Sequence, residues 1–238
     1  MLLETLRERG HTAVESAADA RVMPVILRIE RAEPPARTAL LEAAAAAALA
    51  VCLDDRGAED GPWHQRLSCW MGLRIRKVAR RARGAHWHAA QQCEGVTMTV
   101  DGAQARALVP ELVSQVAPEV RRLQISGTEL APDTPDDPPR DVPLLWLNPK
   151  VTMTVGKAAA QVGHASMLLA AGRHAAGDDA ALTRWADTGF RCAVRTPSPA
   201  GWERARHGDA PRTGAVVAVR DAGFTEVEPG TITVLAWL

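Results

Sequence analysis

No stretch of this chain approaches the roughly 18 consecutive apolar residues of a membrane-spanning helix, and the alanine run from Ala43 to Ala50 is too short and too weakly apolar to be one. An apolar secretory core is missing as well. Met1 to Ala20 alternates charged and apolar residues, which predicts a helical or frayed extension rather than an export signal. The four cysteines, Cys52, Cys69, Cys93 and Cys192, lie far apart with no C-x-x-C pair, so reduced structural thiols and a cytoplasmic location are expected. No G-x-S-x-G elbow offers a serine nucleophile, and Cys192 falls in an expected strand. His86 and His88 flank Trp87 without third and fourth ligands at metal spacing, so neither a metal nor another cofactor is implied. Acid is also absent locally: between Gly61 and Cys93 there is no Asp or Glu, although the whole chain balances 28 basic against 28 acidic residues. Segregated charge of this kind is what a polyanion senses.

What is present is enough apolar residue, 47%, for a packed core in one large domain or two small ones across 238 positions. The segment from Ala131 to Pro143, APDTPDDPPRDVP, mixes prolines with acids and can form neither helix nor central strand. It divides the chain into an extension (1–22), an N-terminal α/β domain (23–130), an acidic proline-rich linker (131–143) and a C-terminal domain (144–238). In the first domain, Met23 to Ile29 reads as a strand, Pro34-Pro35 introduces an alanine-rich helix from Ala36 to Leu53, and Asp101-Gly102 turns a hairpin between Val96–Val100 and Ala103–Val109. Ile75, Val78, Ala79 and Ala82 recur at helical spacing and predict a basic helix over Leu73–Arg83, ended by Gly84. Its solvent face would carry Arg74, Arg76, Lys77, Arg80, Arg81 and Arg83, the candidate nucleic-acid contacts.

The second domain reads as the strand Leu144–Leu147, a helix from Lys157 to Ala171, a helix containing Trp185, a strand near Arg191–Arg195, a helix around Trp202, and strands Ala215–Val219 and Ile232–Ala236. Alternation of this kind predicts a small mixed sheet covered by helices on both faces. VTMTV occurs at Val96–Val100 and again at Val151–Val155, and chance is as good an account of it as duplication.

Two blocks carry the chemistry. Gly156-Lys157 opens a helix, with Gln161 and His164 on the face of Lys157, so a cation and backbone N–H groups are expected to point together toward an anion. Asp221 follows an expected buried strand, where α/β sheets hold ligands, and Thr225 and Thr233 add hydroxyls. His164 and Gln161 are equally readable as packed side chains, Thr225 and Thr233 as ordinary strand residues, and the arginines as a solvated face. Together the blocks GKAAAQVGHA and DAGFTEVEPGTITVL resemble the peptidyl-tRNA hydrolases of the archaeal and eukaryotic type, which carry GK-x-AAQ-x-x-HA, DAG-x-T and PG-x-x-T-VL. The resemblance covers about residues 143–238. It implies ester hydrolysis of peptidyl-tRNA through Lys157, Asp221, Thr225, Thr233, His164 and Gln161, with tRNA as partner and a homodimer as the usual assembly. Where that family has a lysine- and glycine-rich loop, this chain has Val151–Val155, and the N-terminal cations would make up the lost charge. The alternative is a non-catalytic RNA-binding or regulatory protein retaining the fold. A third possibility makes the N-terminal domain a degraded second copy standing in for a dimer partner. Replacing Lys157 or Asp221 with alanine is expected to lower turnover at least about a hundredfold with little effect on stability.

Overall fold

Alanine has the highest helix propensity and the smallest side chain that still excludes water from a backbone, so an alanine-rich segment suits a helix packed on all sides. Arg37–Leu53 is such a helix, buried at every position from Thr38 to Cys52. In the computed structural model, which describes residues 20–73, 75–209, 211–212, 216–221, 223 and 226–237, it lies between two mixed sheets. The elements run β1 (Arg21–Arg28), α1 (Arg37–Leu53), α2 (His64–Met71), β2 (Arg76–Ala82), α3 (Gly84–Ala90), β3 (Gly95–Val100), β4 (Ala103–Leu108), β5 (Glu111–Leu112) and α4 (Pro118–Arg121). They continue with β6 (Leu144–Leu147), α5 (Val155–Ala175), α6 (Asp179–Asp187), β7 (Ala193–Arg195), α7 (Pro199–Arg206), β8 (Val217–Arg220) and β9 (Ile232–Trp237).

The first sheet has the order β2-β1-β4-β3, with β5 pairing β1, and the second has the order β7-β6-β9-β8. Helix α1 packs under the first sheet, α5 under the second, and the two helices pack on each other. Close approach is possible because the contact is built from small residues: a Cβ added to Gly163 would lie 3.0 Å from the Cβ of Ala48, and Ser166 Oγ donates to the Ala45 carbonyl at 2.9 Å. One apolar core therefore runs from Leu27 and Trp70 through both helices to Val194 and Val234. Smaller clusters seal the outer faces, around Trp87 of α3 on the first sheet and Trp202 of α7 on the second. Among the described residues no helix is long and apolar enough to cross a membrane.

The expected elements are present with shifted ends, except one. Arg76–Ala82 is a strand, not a basic helix, and pairs in parallel with β1 from Val22↔Arg76 to Arg28↔Ala82. The apolar spacing of Ile75, Val78, Ala79 and Ala82 fits either conformation, and pairing with β1 decides it, because the edge of a sheet tolerates charge on a strand. Gly84 opens α3 rather than closing a helix. Strand β1 starts at Arg21, and residues 1–19 of the expected extension lie outside the described residues. Asp101 (φ 46°) and Gly102 (φ 81°) form the predicted turn of the β3–β4 hairpin. The two VTMTV copies differ in role: the first is in β3, while the second is a loop up to Thr154 whose last residue, Val155, begins α5.

The acidic segment 131–143 runs as a strap without helix or strand. Asp133 caps α1, accepting from the Thr38 N–H at 2.8 Å and from Thr38 Oγ1 at 2.6 Å, which places a negative charge at the positive end of the helix.

Candidate active site

Lys157 lies in the first turn of α5, Gln161 one turn later and His164 the next, so all three face one side of the helix. Strand β8 brings its end to that side, and Asp221 follows it. The strand is an edge of the sheet with half of its residues exposed, rather than the buried strand expected. Thr233 reaches the same place from β9, where it is fully buried.

These groups form one network. Lys157 Nζ pairs with Asp221 Oδ2. Gln161 Nε2 donates to the same oxygen at 2.8 Å, and Thr233 Oγ1 donates to Gln161 Oε1 at 2.6 Å. Both partners being fixed, the amide of Gln161 has one orientation that satisfies the network. Asp221 Oδ1 accepts from the Gly223 N–H at 2.8 Å. The Lys157 and Asp221 side chains are 10% and 4% exposed, so the ion pair is shielded from water. Three donors among the described residues thus occupy three of the roughly four acceptor directions of the carboxylate.

The pair opens on a cavity of about 440 Å³ lined by Lys157, Gln161, His164, Asp221, and Arg76 and Lys77 of β2. Lys77 Nζ lies 3.4 Å from His164 Nδ1. An ammonium only donates, so this contact assigns Nδ1 as acceptor and the ring proton to Nε2.

The helix start differs from expectation in one respect. Its N–H groups are not left for an anion: Gly156 N–H donates to Thr128 Oγ1 at 3.0 Å and Lys157 N–H to Thr154 Oγ1 at 3.1 Å. Thr154 is in turn gripped by the Glu226 carboxylate, at 3.0 Å through its N–H and 2.9 Å through its hydroxyl. What faces the cavity as an anion site is the lysine side chain. Thr154, at N-cap spacing ahead of Lys157, was readable from the sequence; Thr128 and Glu226 reach the site only through the fold.

Residues 143–237 match the family model of the peptidyl-tRNA hydrolase PTH2. The C-terminal part of the chain carries a PTH2 domain. Neither a curated protein nor a solved structure matches the chain.

Of the candidates in the PTH2 domain, Lys157, Gln161, His164, Asp221 and Thr233 converge, and Thr225 lies outside the described residues. The basic residues divide. Arg76 and Lys77 face the cavity of the PTH2 domain. Arg80 is committed within the protein, donating to the carbonyls of Arg121 at 3.1 Å and Leu123 at 2.7 Å. Arg81 holds Gln124 through its side chain at 3.0 Å, Arg83 lines a separate cavity with His86, and Arg74 lies outside the described residues. Among the described residues no group of three metal-ligating side chains converges.

Proposed function

We propose that the chain hydrolyses the ester joining a peptide, or an N-blocked amino acid, to the terminal ribose of tRNA. The observation that carries this reading is the shielded Lys157–Asp221–Gln161–Thr233 network, which lies in the matched PTH2 domain and opens on a cavity. Water adds to the ester carbonyl, giving its proton to Asp221, whose Oδ1 has an acceptor direction left for it. The Lys157 ammonium stabilises the oxyanion that develops, a role in which a preplaced cation is worth several kcal/mol. The tetrahedral adduct collapses, the ribose oxygen departs and takes the proton held by Asp221, giving free tRNA, and the peptide acid releases its proton to solvent and leaves as a carboxylate. Gln161 and Thr233 hold Asp221 toward Lys157. His164 and Arg76 line the cavity, and the Arg76 guanidinium suits a backbone phosphate near the ester.

A protein that only binds RNA has no need of the complete network. Incubating the purified chain with N-blocked aminoacyl-tRNA and following release of free tRNA separates the two: catalytic release supports the hydrolase, and binding without release supports the alternative.

A further inference from the structure

The two halves of the chain repeat each other. From β1 to β4 the order is strand, helix, helix, strand, helix, strand, strand, and from β6 to β9 it is the same. Pairing agrees strand for strand: β1 is parallel to β2 as β6 is to β7, β1 is antiparallel to β4 as β6 is to β9, and the last two strands of each half form an antiparallel pair. Side chains agree as well. Trp70 and Trp185 occupy the same position in α2 and α6, and each donates its indole N–H to the carbonyl six residues on, Arg76 at 3.1 Å and Arg191 at 2.7 Å. Trp87 and Trp202, each the fourth residue of its helix, centre the two outer clusters.

The contact between halves is reciprocal, as it is across a twofold axis. Aligning α1 and α5 at their second residues, Thr38 and Gly156, pairs Ala45 with Gly163 and Ala48 with Ser166. Gly163 meets Ala48 and Ser166 meets Ala45, so each contact is the image of the other. The alignment also locates a second site. Lys157, Gln161 and His164 correspond to Ala39, Ala43 and Ala46, and Asp221 corresponds to Asp101, now in a two-residue turn and 71% exposed. A cavity of about 620 Å³ lies there, lined by α1, Asp101 and β7 as the first is lined by α5, Asp221 and β2, and the strap 131–143 forms one wall. Asp133 caps α1 there, and Arg195 holds the Asp136 carbonyl at 2.8 Å.

We infer that the N-terminal half is a silent copy of the PTH2 fold, retained as a built-in partner that presents Lys77 to the one live site, where Lys77 binds a substrate phosphate. The silent site has alanine where the live site has Lys157, and the six carboxylates lining it, four of them on the strap, outnumber Arg191 and Arg195, so it repels the polyanion that the live site attracts. The nature of the substrate rests on the hydrolase reading; the one-site arrangement does not.

The test uses the full chain and a short single-stranded RNA whose terminal ribose carries an N-acetylaminoacyl group through an amide in place of the ester. Sedimentation is expected to show a monomer, and calorimetry one RNA bound per chain. Lys77→Gln should weaken RNA binding and raise KM on tRNA about tenfold, the scale of one hydrogen bond to a charged group, while kcat stays within about twofold and Lys77→Arg restores KM. A dimer at micromolar concentration, two RNA molecules per chain, no RNA binding, or unchanged affinity in Lys77→Gln overturns the inference. Binding as expected without hydrolysis by the parent sinks the hydrolase reading and leaves the inference standing; hydrolysis with two RNA molecules bound does the reverse.

Discussion

Asp221→Ala should unfold the protein well below the parent temperature, and adding Lys157→Met should recover most of that loss without recovering activity. The carboxylate is the counterion of an ammonium only 10% exposed, and it also satisfies Gln161 Nε2 and the Gly223 N–H. Deleting it strands a buried cation and two donors, a change that costs about 3–5 kcal/mol. At roughly 2–4 °C per kcal/mol for a chain of this size, Tm falls by about 6–20 °C. Methionine at 157 removes the stranded charge and keeps the length of the side chain, so the double variant melts closer to the parent than the single one does. Turnover on N-blocked aminoacyl-tRNA falls at least about a hundredfold in both variants, corresponding to about 2.7 kcal/mol of lost transition-state stabilisation. Thermal unfolding followed by circular dichroism, beside the hydrolysis assay, measures both quantities. An Asp221→Ala variant that melts within about 2 °C of the parent, or a double variant no more stable than it, would show that the pair is screened by water and refute the reasoning. The burial of the pair argues against the expectation, drawn from sequence alone, that stability changes little at these positions.

Gly163→Val is expected to destabilise by about 1–3 kcal/mol, because its first carbon already lies 3.0 Å from Ala48 and the branch has no room; a denaturant midpoint equal to the parent's would show that α1 and α5 pack more loosely. Arg76→Gln should lower the log–log salt slope of tRNA binding by about one unit, whereas Arg80→Gln should reduce thermal stability and leave the slope unchanged, since Arg80 is spent on the Arg121 and Leu123 carbonyls. Equal slopes in all three proteins would remove Arg76 from the RNA contact. Exposed Cys69 is expected to alkylate quickly in the native protein while Cys52 and Cys192 stay protected until unfolding, for both are buried and burial pushes the Cys52 thiol up to about 12 and the Cys192 thiol up as well. Mass spectrometry of labelled peptides reads this directly, and rapid native labelling at Cys52 would contradict the close packing of α1.

The elements of the C-terminal sheet and the shared helix face of Lys157, Gln161 and His164 were legible in the sequence because they are local, whereas Asp221 and Thr233, sixty or more residues from their partners, were joined to them only by the resemblance of the two blocks. Lys157, Gln161 and His164 share a helix, so their periodicity alone puts them on one face, and the strand following a turn-rich block brings Thr233 beside Asp221. Local spacing failed at Arg76–Ala82, where one apolar pattern serves a helix or a strand and the choice lay with β1, more than fifty residues earlier. The repeated VTMTV marks no shared place in the fold, since its copies hold different positions, while the repeated order of strands and the paired tryptophans are announced by no shared motif. Thr128, Glu226 and Lys77 join the site only because two sheets close on α1 and α5. Periodicity fixes which face of an element a side chain takes; which distant element meets that face is set by packing, and so it is decided by the tertiary structure alone.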